Sequence, residues 1–256
     1  TAVETDADQL WYGNGSYNWL GYRPQSVTGI GDIDGDGFAD MGLGCDYTNS
    51  STGGLYLSYG SASPALGTFG LDTGAEDAEF TSNSTSYNGF GHSVFPVGDV
   101  TGDGLDDFVV SGENSDQAFL LPGDSTPYSG EYSTTGTAWA DFSADGEVGW
   151  LGGGGDFNGD GEQDIVMSAP EATNGSVYYA GAVYVWFGPL SSASHDSSTA
   201  GTVISGSTTT GYEYLGLGLS VGDGTGDGVD DLLLGAPGGS AGNGEAYVFL
   251  GGDGSL

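Results

Sequence analysis

Asp32-Ile33-Asp34-Gly35-Asp36-Gly37-Phe38-Ala39-Asp40 is the stretch on which the reading of this chain turns. Acidic side chains at its positions 1, 3, 5 and 9 converge if the backbone curls around a cation. Glycine at position 6 permits the sharp turn, and the carbonyl at position 7 adds another oxygen. Unpaired, four carboxylates in nine residues repel one another, and a hard cation such as Ca²⁺ balances them. The pattern returns at Asp99–Asp107, Asp156–Asp164 and Asp223–Asp231, with starts 67, 57 and 67 residues apart. Four copies in register are a repeat architecture.

The expected side-chain ligands are Asp32, Asp34, Asp36 and Asp40 in the first loop and Asp99, Thr101, Asp103 and Asp107 in the second. The third offers Asp156, Asn158, Asp160 and Asp164, and the fourth Asp223, Thr225, Asp227 and Asp231. Position-7 carbonyls come from Phe38, Leu105, Glu162 and Val229. About four structural calcium ions follow, each pinning two strands. By charge count the first site, with four carboxylates, binds most tightly. Helix-loop-helix calcium sites need a Glu at position 12, where this chain has Leu43, Val110, Met167 and Leu234, so that class does not fit.

Composition narrows the partners. The net charge is −35, with one Lys or Arg and two His among 256 residues. Phosphate contacts need Lys and Arg, so nucleic acid is disfavoured, and a basic patch for anionic membranes is excluded. The acidity reads as solubility in salty or calcium-rich water, or as calcium-bridged assembly. No apolar run reaches the roughly 20 residues that span a bilayer. Cys45 is the single cysteine, so no internal disulfide forms and calcium takes over as the staple. Cys45 itself reads as a buried small hydrophobe. No secretory signal is visible, but a processed chain starting at Thr1 in an extracellular or cell-surface setting accounts for the composition.

Each loop sits in the same context. A Gly-rich strand precedes it: Leu20 to Ile30, Phe90 to Val97, Val148 to Gly154, Tyr214 to Val221. A short apolar strand follows from Asp40, Asp107, Asp164 or Asp231, its continuous apolar run fitting burial on both faces. An alternating aromatic strand comes third, as in Ala182-Val183-Tyr184-Val185-Trp186. A weaker outer strand is fourth: Ala78–Thr81, Thr137–Ala140 and Thr202–Ser205. Little or no helix is expected. Four meandering strands per unit are the grammar of a β-propeller blade. The fold class is therefore all-β, a β-propeller of four blades with four antiparallel strands each. Its single domain covers 1–256, with units at about 14–82, 83–141, 142–206 and 207–256 and an outer strand at 8–12. The fourth unit lacks an outer strand and residues 8–12 have one to give. They complete the last blade in their own chain, or in a neighbour.

These residues resemble the FG-GAP repeats of the integrin α-subunit β-propeller. Phe90-Gly91 precedes the second loop, Gly235-Ala236-Pro237 follows the fourth and Ser168-Ala169-Pro170 the third. Leu20-Gly21, Trp150-Leu151-Gly152 and Leu215-Gly216 stand where Phe-Gly is found in that family, and Gly44-Cys45-Asp46 and Gly112-Glu113-Asn114 where Gly-Ala-Pro is found. The resemblance covers about residues 8 to 252. It implies a calcium loop between the first two strands of each blade, in a ring that commonly has seven.

The function expected is a secreted, calcium-stabilised, non-catalytic adhesion or ligand-binding module with a protein or glycan ligand. The alternative is a self-assembling subunit of an extracellular fibre, sheath or surface layer, joined through the N-terminal strand or calcium bridges. A hydrolase on a propeller scaffold ranks last, because His92 and His195 lie in no nucleophile motif and Glu76-Asp77 or Asp106-Asp107 are acid pairs that so acidic a chain produces anyway. Tyr128, Tyr132, Tyr178 and Tyr179 read as surface aromatics able to stack on sugars or line an interface. Asn14, Asn49, Asn83 and Asn174 fit the N-glycosylation pattern.

Overall fold

The structure, a computed structural model, describes residues 7–13, 19–46, 52–71, 74–82, 89–112, 116–209, 211–252 and 256. The chain opens with β1 (Gln9–Tyr12). The first repeat gives β2 (Val27–Gly31), β3 (Asp40–Cys45), β4 (Gly54–Ser58), β5 (Gly67–Gly70) and β6 (Ala78–Thr81). The second gives β7 (Phe90–Gly98), β8 (Asp107–Gly112), β9 (Gln117–Leu121), β10 (Gly130–Ser133) and β11 (Ala140–Ser143). The third gives β12 (Gly152–Gly155), β13 (Asp164–Ala169), β14 (Ala182–Trp186), β15 (Ser194–Asp196) and β16 (Thr202–Ser205). The fourth gives β17 (Gly218–Gly222), β18 (Asp231–Ala236) and β19 (Glu245–Phe249). Single helical turns at Thr134–Thr137 and Gly239–Gly242 are minor interruptions.

Each repeat folds into an antiparallel meander in which the first, second and third strands pair in sequence. The outer strand then pairs with the third in the first three sheets. The sheets stack face to face, which explains the uninterrupted apolar second strands, since side chains alternate between faces. Phe108 and Val110 of β8 pack with Leu55, Leu57 and Phe80 of the first sheet. Val109, between them, packs with Ile165, Met167 and Trp186 of the third. Val166, Val183 and Val185 in turn meet Leu232 and Leu234 of the fourth. The architecture is all-β and propeller-like.

The N-terminal strand departs from one of its two expected placements. It does not complete the fourth sheet, which consists of β17-β18-β19. Instead β1 runs parallel to β5, with Trp11 stacked on Phe69 at a centroid distance of 4.9 Å. The same device recurs twice. β10 lies parallel to β6 with Tyr132 on Phe80 at 5.2 Å, and β15 parallel to β11 with His195 on Phe142 at 5.2 Å. After its third strand, each of the first three repeats thus reaches back to an outer strand of the preceding unit. β1 occupies the place of such an outer strand, ahead of the first sheet.

Two further expectations shift. The second outer strand is Ala140–Ser143, not Thr137–Ala140, because 134–137 forms a helical turn and Phe142 is the buried residue. In the third repeat the position equivalent to Phe90-Gly91 is Val148-Gly149, not Leu151-Gly152. Gly149 has φ +85° and a Cβ there would meet Ser111 Cβ at 2.7 Å, as one on Gly216 would meet Ser168 Cβ at 2.7 Å.

Candidate metal centres and an aromatic platform

The four acidic loops share the same glycine turns, which the sequence dictates, although in the first the Asp36 amide donates to Asp34 and Asp32 accepts from Gly37 (2.9 Å). Glycines at positions 4 and 6 take left-handed backbone conformations, for example Gly102 at φ +77° and Gly104 at φ +92°, which side chains with a Cβ resist. The turned amides then point inward at the first aspartate. Asp99 accepts from the amides of Gly102 (2.7 Å), Asp103 (3.0 Å) and Gly104 (2.8 Å). Asp156 and Asp223 repeat that set. The position-5 aspartates accept from the position-7 amides of Phe38, Leu105, Glu162 and Val229.

The ninth aspartate is the hub. Asp107 Oδ2 accepts from the Val100 and Thr101 amides (both 2.9 Å), and its Oδ1 accepts from Gly123 (2.9 Å). Asp40 joins Ile33 to Gly60, Asp164 joins Phe157 to Gly188, and Asp231 joins Gly224 and Thr225 to Gly251. Each thus ties the loop, the second strand and the turn after the third strand together. The sequence reading placed these aspartates as ligands and did not assign them the glycine amides, after each third strand, that donate to them. The signal was there: a Gly follows each third strand at a constant offset.

Burial pushes the carboxyls of Asp40, Asp107 and Asp164 up to about 6, with backbone amide donors pulling the other way. Burial also raises Asp34, aided by the charges of Asp36 and Asp32. Asp223 is held low by the Gly228 and Gly226 amides.

The first loop gathers a donor set that suits a divalent cation. In the first, oxygens of Asp32, Asp34 and Asp40 lie within 4.8 Å of one another. Asp32 Oδ1 and, in the second loop, Thr101 Oγ1 are buried side-chain oxygens with no hydrogen-bond partner, and both belong to expected ligands. Asp36 is outside the tight group, and in the other loops the three carboxylates converge less closely among the described residues.

The loops are also linked in pairs. Asp106 Oδ2 accepts from the Asp32 amide (2.9 Å), and Asp230 Oδ2 accepts from the Asp156 amide (3.1 Å). Asp106 is therefore committed to the neighbouring loop rather than paired with Asp107 as an acid couple. Asp77 accepts from the Tyr59 amide (2.8 Å).

The remaining candidates lie in defined surroundings. His92 is buried with its ring 4.7 Å from that of Trp150, and His195 stacks on Phe142. Cys45 is buried. Arg23 forms an ion pair with buried Asp46 at 2.6 Å. Tyr128 is not a surface aromatic: it is buried beside Phe80 and Tyr132. Asn174 is engaged through its amide, which donates to the Gly206 carbonyl (2.8 Å). Asn14, Asn49 and Asn83 lie outside the described residues.

Tyr178 and Tyr179 do belong to a surface cluster, together with Tyr212 and Tyr214, which the sequence did not single out. Tyr179 lies 5.3 Å from Tyr212 and 5.4 Å from Tyr214, ring to ring. The amides of Tyr212 and Tyr214 donate to the carbonyls of Tyr178 and Tyr179 (both 3.0 Å). Tyr179, Tyr212 and Tyr214 have φ of +54°, +64° and +53°, a strained region for bulky residues. Because strands of a meander alternate in direction, these loops sit at the end of the sheets opposite the acidic loops.

A meander whose first two strands are joined by a nine-residue acidic loop, repeated four times, defines the class: a repeat protein of propeller-like sheets. Residues 148–186 match the FG-GAP repeat family, beginning at the Val148-Gly149 position found above. The chain resembles integrin α FG-GAP domains. Integrin alpha-PS5 of Drosophila melanogaster is 38% identical over 114 residues, 40% of this chain and 9% of that protein. Integrin alpha-5 of Xenopus laevis is 30% identical over 177 residues, 65% of this chain and 16% of that protein. Phosphatidylinositol-glycan-specific phospholipase D of Dictyostelium discoideum is 30% identical over 188 residues, 64% of this chain and 20% of that protein. The chain therefore spans at most a fifth of these relatives. Among the described residues, no helix is long and apolar enough to cross a membrane.

Proposed function

We propose that this chain is an extracellular, calcium-stabilised binding module without catalysis, each sheet acting as a propeller blade. Calcium occupies the four acidic loops, held by the side chains at positions 1, 3, 5 and 9 and the position-7 carbonyls. The ion neutralises carboxylates that the fold has already gathered, so its role is structural. The ligand meets the opposite end of the sheets. The observation that carries this reading is the tyrosine platform. Its strained backbones and cross-loop hydrogen bonds hold polar-tipped aromatic rings at the surface, a low-entropy way to stack on a sugar or a peptide. Among the relatives, integrins share the loop-bearing repeats, and the phospholipases are matched over at most a fifth of their length.

The test is a glycan array together with a panel of extracellular-matrix proteins, probed in millimolar calcium with the wild type and with Tyr212→Ala. A defined ligand whose binding falls at least tenfold in the variant is the expected result. A ligand bound equally by both proteins, or none at all, overturns the platform as a binding site.

A further inference from the structure

The second acidic loop has a neighbour on each side, and the two junctions are built differently. Towards the first loop, two bridges run between expected ligands. In one, Asp106, the residue before Asp107, holds the backbone of Asp32 from both sides. Its carboxylate accepts from the Asp32 amide (2.9 Å), and its amide donates to the Asp32 carbonyl (3.3 Å). Gly31 makes room for this, since a Cβ there would overlap the Asp106 carboxylate. In the other bridge, the Ile33 amide donates to Asp40 (2.9 Å) and the Ile33 carbonyl accepts from the Asp124 amide (2.8 Å). Gly123, next to Asp124, donates to Asp107 (2.9 Å). The ninth aspartates of the two loops are thus joined through hydrogen bonds and short runs of backbone.

The third and fourth loops repeat both bridges. Asp230 accepts from the Asp156 amide (3.1 Å) and donates its own to the Asp156 carbonyl (2.9 Å). The Phe157 carbonyl accepts from Gly252 (2.9 Å), and the adjacent Gly251 donates to Asp231 (3.0 Å). Between the second and third loops the sequence removes both. Gln163 stands where Asp106 and Asp230 stand. Pro189 stands where Asp124 and Gly252 stand, and it has no amide hydrogen to donate. Among the described residues, no hydrogen bond joins Gln163 to the second loop.

We propose that the loops take up calcium as two coupled pairs, the first with the second and the third with the fourth, with an insulating junction at Gln163 and Pro189 between the pairs. This rests on the calcium reading above. Both members of the first pair have an oxygen to give a cation: Asp32 Oδ1 and Thr101 Oγ1 are buried without a hydrogen-bond partner. A cation in one loop fixes the aspartates at which its bridges end. Fixed bridges order the neighbouring loop in advance, so its own cation has less ordering left to do. The same factor must act in both directions. Asp106 and Asp230 are positioning residues here: they are not expected ligands, and they act by holding Asp32 and Asp156.

Each loop carries its own reporter, because the amides of Gly37, Gly104 and Gly161 donate to the first aspartates Asp32 (2.9 Å), Asp99 (2.8 Å) and Asp156 (2.9 Å). Nuclear magnetic resonance of these amides during a calcium titration reads the three loops separately. Asp103→Ala disables the second loop, which the loss of the Gly104 response certifies. The Gly37 midpoint is then expected to need about 5 to 150 times more calcium, the usual span of coupling between sites. The Gly161 midpoint is expected to stay where it was, although the third loop also adjoins the second. In an Asp106→Ala background the Gly37 shift is expected to shrink, and Asp106→Asn, which keeps the acceptor, is expected to restore it. Equal shifts at Gly37 and Gly161, or none at either, overturn the pairing and leave the calcium reading standing. Amides that do not respond to millimolar calcium in the wild type overturn the calcium reading and the coupling with it. An Asn variant as weakly coupled as the Ala variant overturns the hydrogen-bonded route through Asp106.

Discussion

The ninth aspartate of each loop does two jobs that pull against each other. It is an expected metal ligand, and it is the acceptor that locks strand, loop and turn together. The second job needs the glycine after the third strand. A Cβ on Gly123 would lie 2.6 Å from Leu105 Cβ and 2.8 Å from the carbonyl oxygens of Asp106 and Ile33. Gly123→Ala should therefore push the turn off Asp107 and cost about 2 to 3 kcal/mol, read by urea denaturation in calcium. A loss under about 0.5 kcal/mol, the size of an ordinary surface change, would mean that Asp107 does not need this turn. The first job shows in pH dependence once calcium is stripped. With folded-state carboxyls at about 6 for Asp40, Asp107 and Asp164 against about 3.9 in an unfolded chain, the folded protein binds more protons between those values. Stability of the metal-free protein must then fall as pH rises through that window. Its melting temperature should be higher at pH 4.5 than at pH 7.5. With calcium present the trend should reverse, because the ion requires the ionised ligands. A metal-free protein that gains stability across the same window would show that burial does not dominate these carboxyls.

At the scale of elements, the back-reaching strands β5, β10 and β15 do the joining that sequence periodicity did not reveal. They are short, and nothing in Gly130-Glu131-Tyr132-Ser133 alternates strongly enough to announce a strand. What marks them is one aromatic or imidazole ring placed to stack on the outer strand of the neighbouring sheet, a tertiary relation invisible to local pattern. By contrast, Asp107-Phe108-Val109-Val110 and its counterparts were legible because both faces of a central strand are buried, and the acidic loops were legible because a repeated pattern of carboxylates and glycines has few other uses. The N-terminal strand was recognised as an outer strand, and of its two expected placements the one in its own fourth blade fails, since pairing along a sheet edge is set by the stack and not by Gln9–Tyr12 alone. The tyrosine cluster was half seen: Tyr178 and Tyr179 stood out as neighbours, whereas Tyr212 and Tyr214 reach them only through the fold. The back-reaching strand can be tested directly. Tyr132→Ala removes the ring stacked on Phe80 and should cost about 1 to 3 kcal/mol. Hydrogen exchange should quicken at the β10 amides while β3 and β4 of the sheet it joins stay protected. Exchange that rises equally across that first sheet would mean that β10 is held by the sheet as a whole rather than by its ring.

On the scale of the whole molecule, the chain balances its charge outside covalent chemistry. It has 36 acidic residues and one basic one, and that one, Arg23, is already paired with buried Asp46. The loops gather aspartates into pairs of linked sites, the first with the second through Asp106 and the third with the fourth through Asp230. With calcium in these loops as proposed, its removal leaves the carboxylates close together with nothing to offset them but proton uptake and salt. Each ion that binds only the folded state adds about 2.7 kcal/mol when free calcium is a hundredfold above its dissociation constant, so several sites together rival the entire stability of an ordinary domain. Chelation should therefore lower the melting temperature by tens of degrees. If the cost is chiefly repulsion among unpaired carboxylates, added sodium chloride should recover part of it, since the screening length shrinks from about 10 Å at 0.1 M to about 3 Å at 1 M. The calcium-loaded protein, its loop charges already neutralised, should respond much less to the same salt. Thermal melts in chelator and in calcium across that range decide the point. Equal salt responses in the two conditions would place the ion's contribution in coordination geometry, with the loops collapsing for want of a centre rather than for excess of charge.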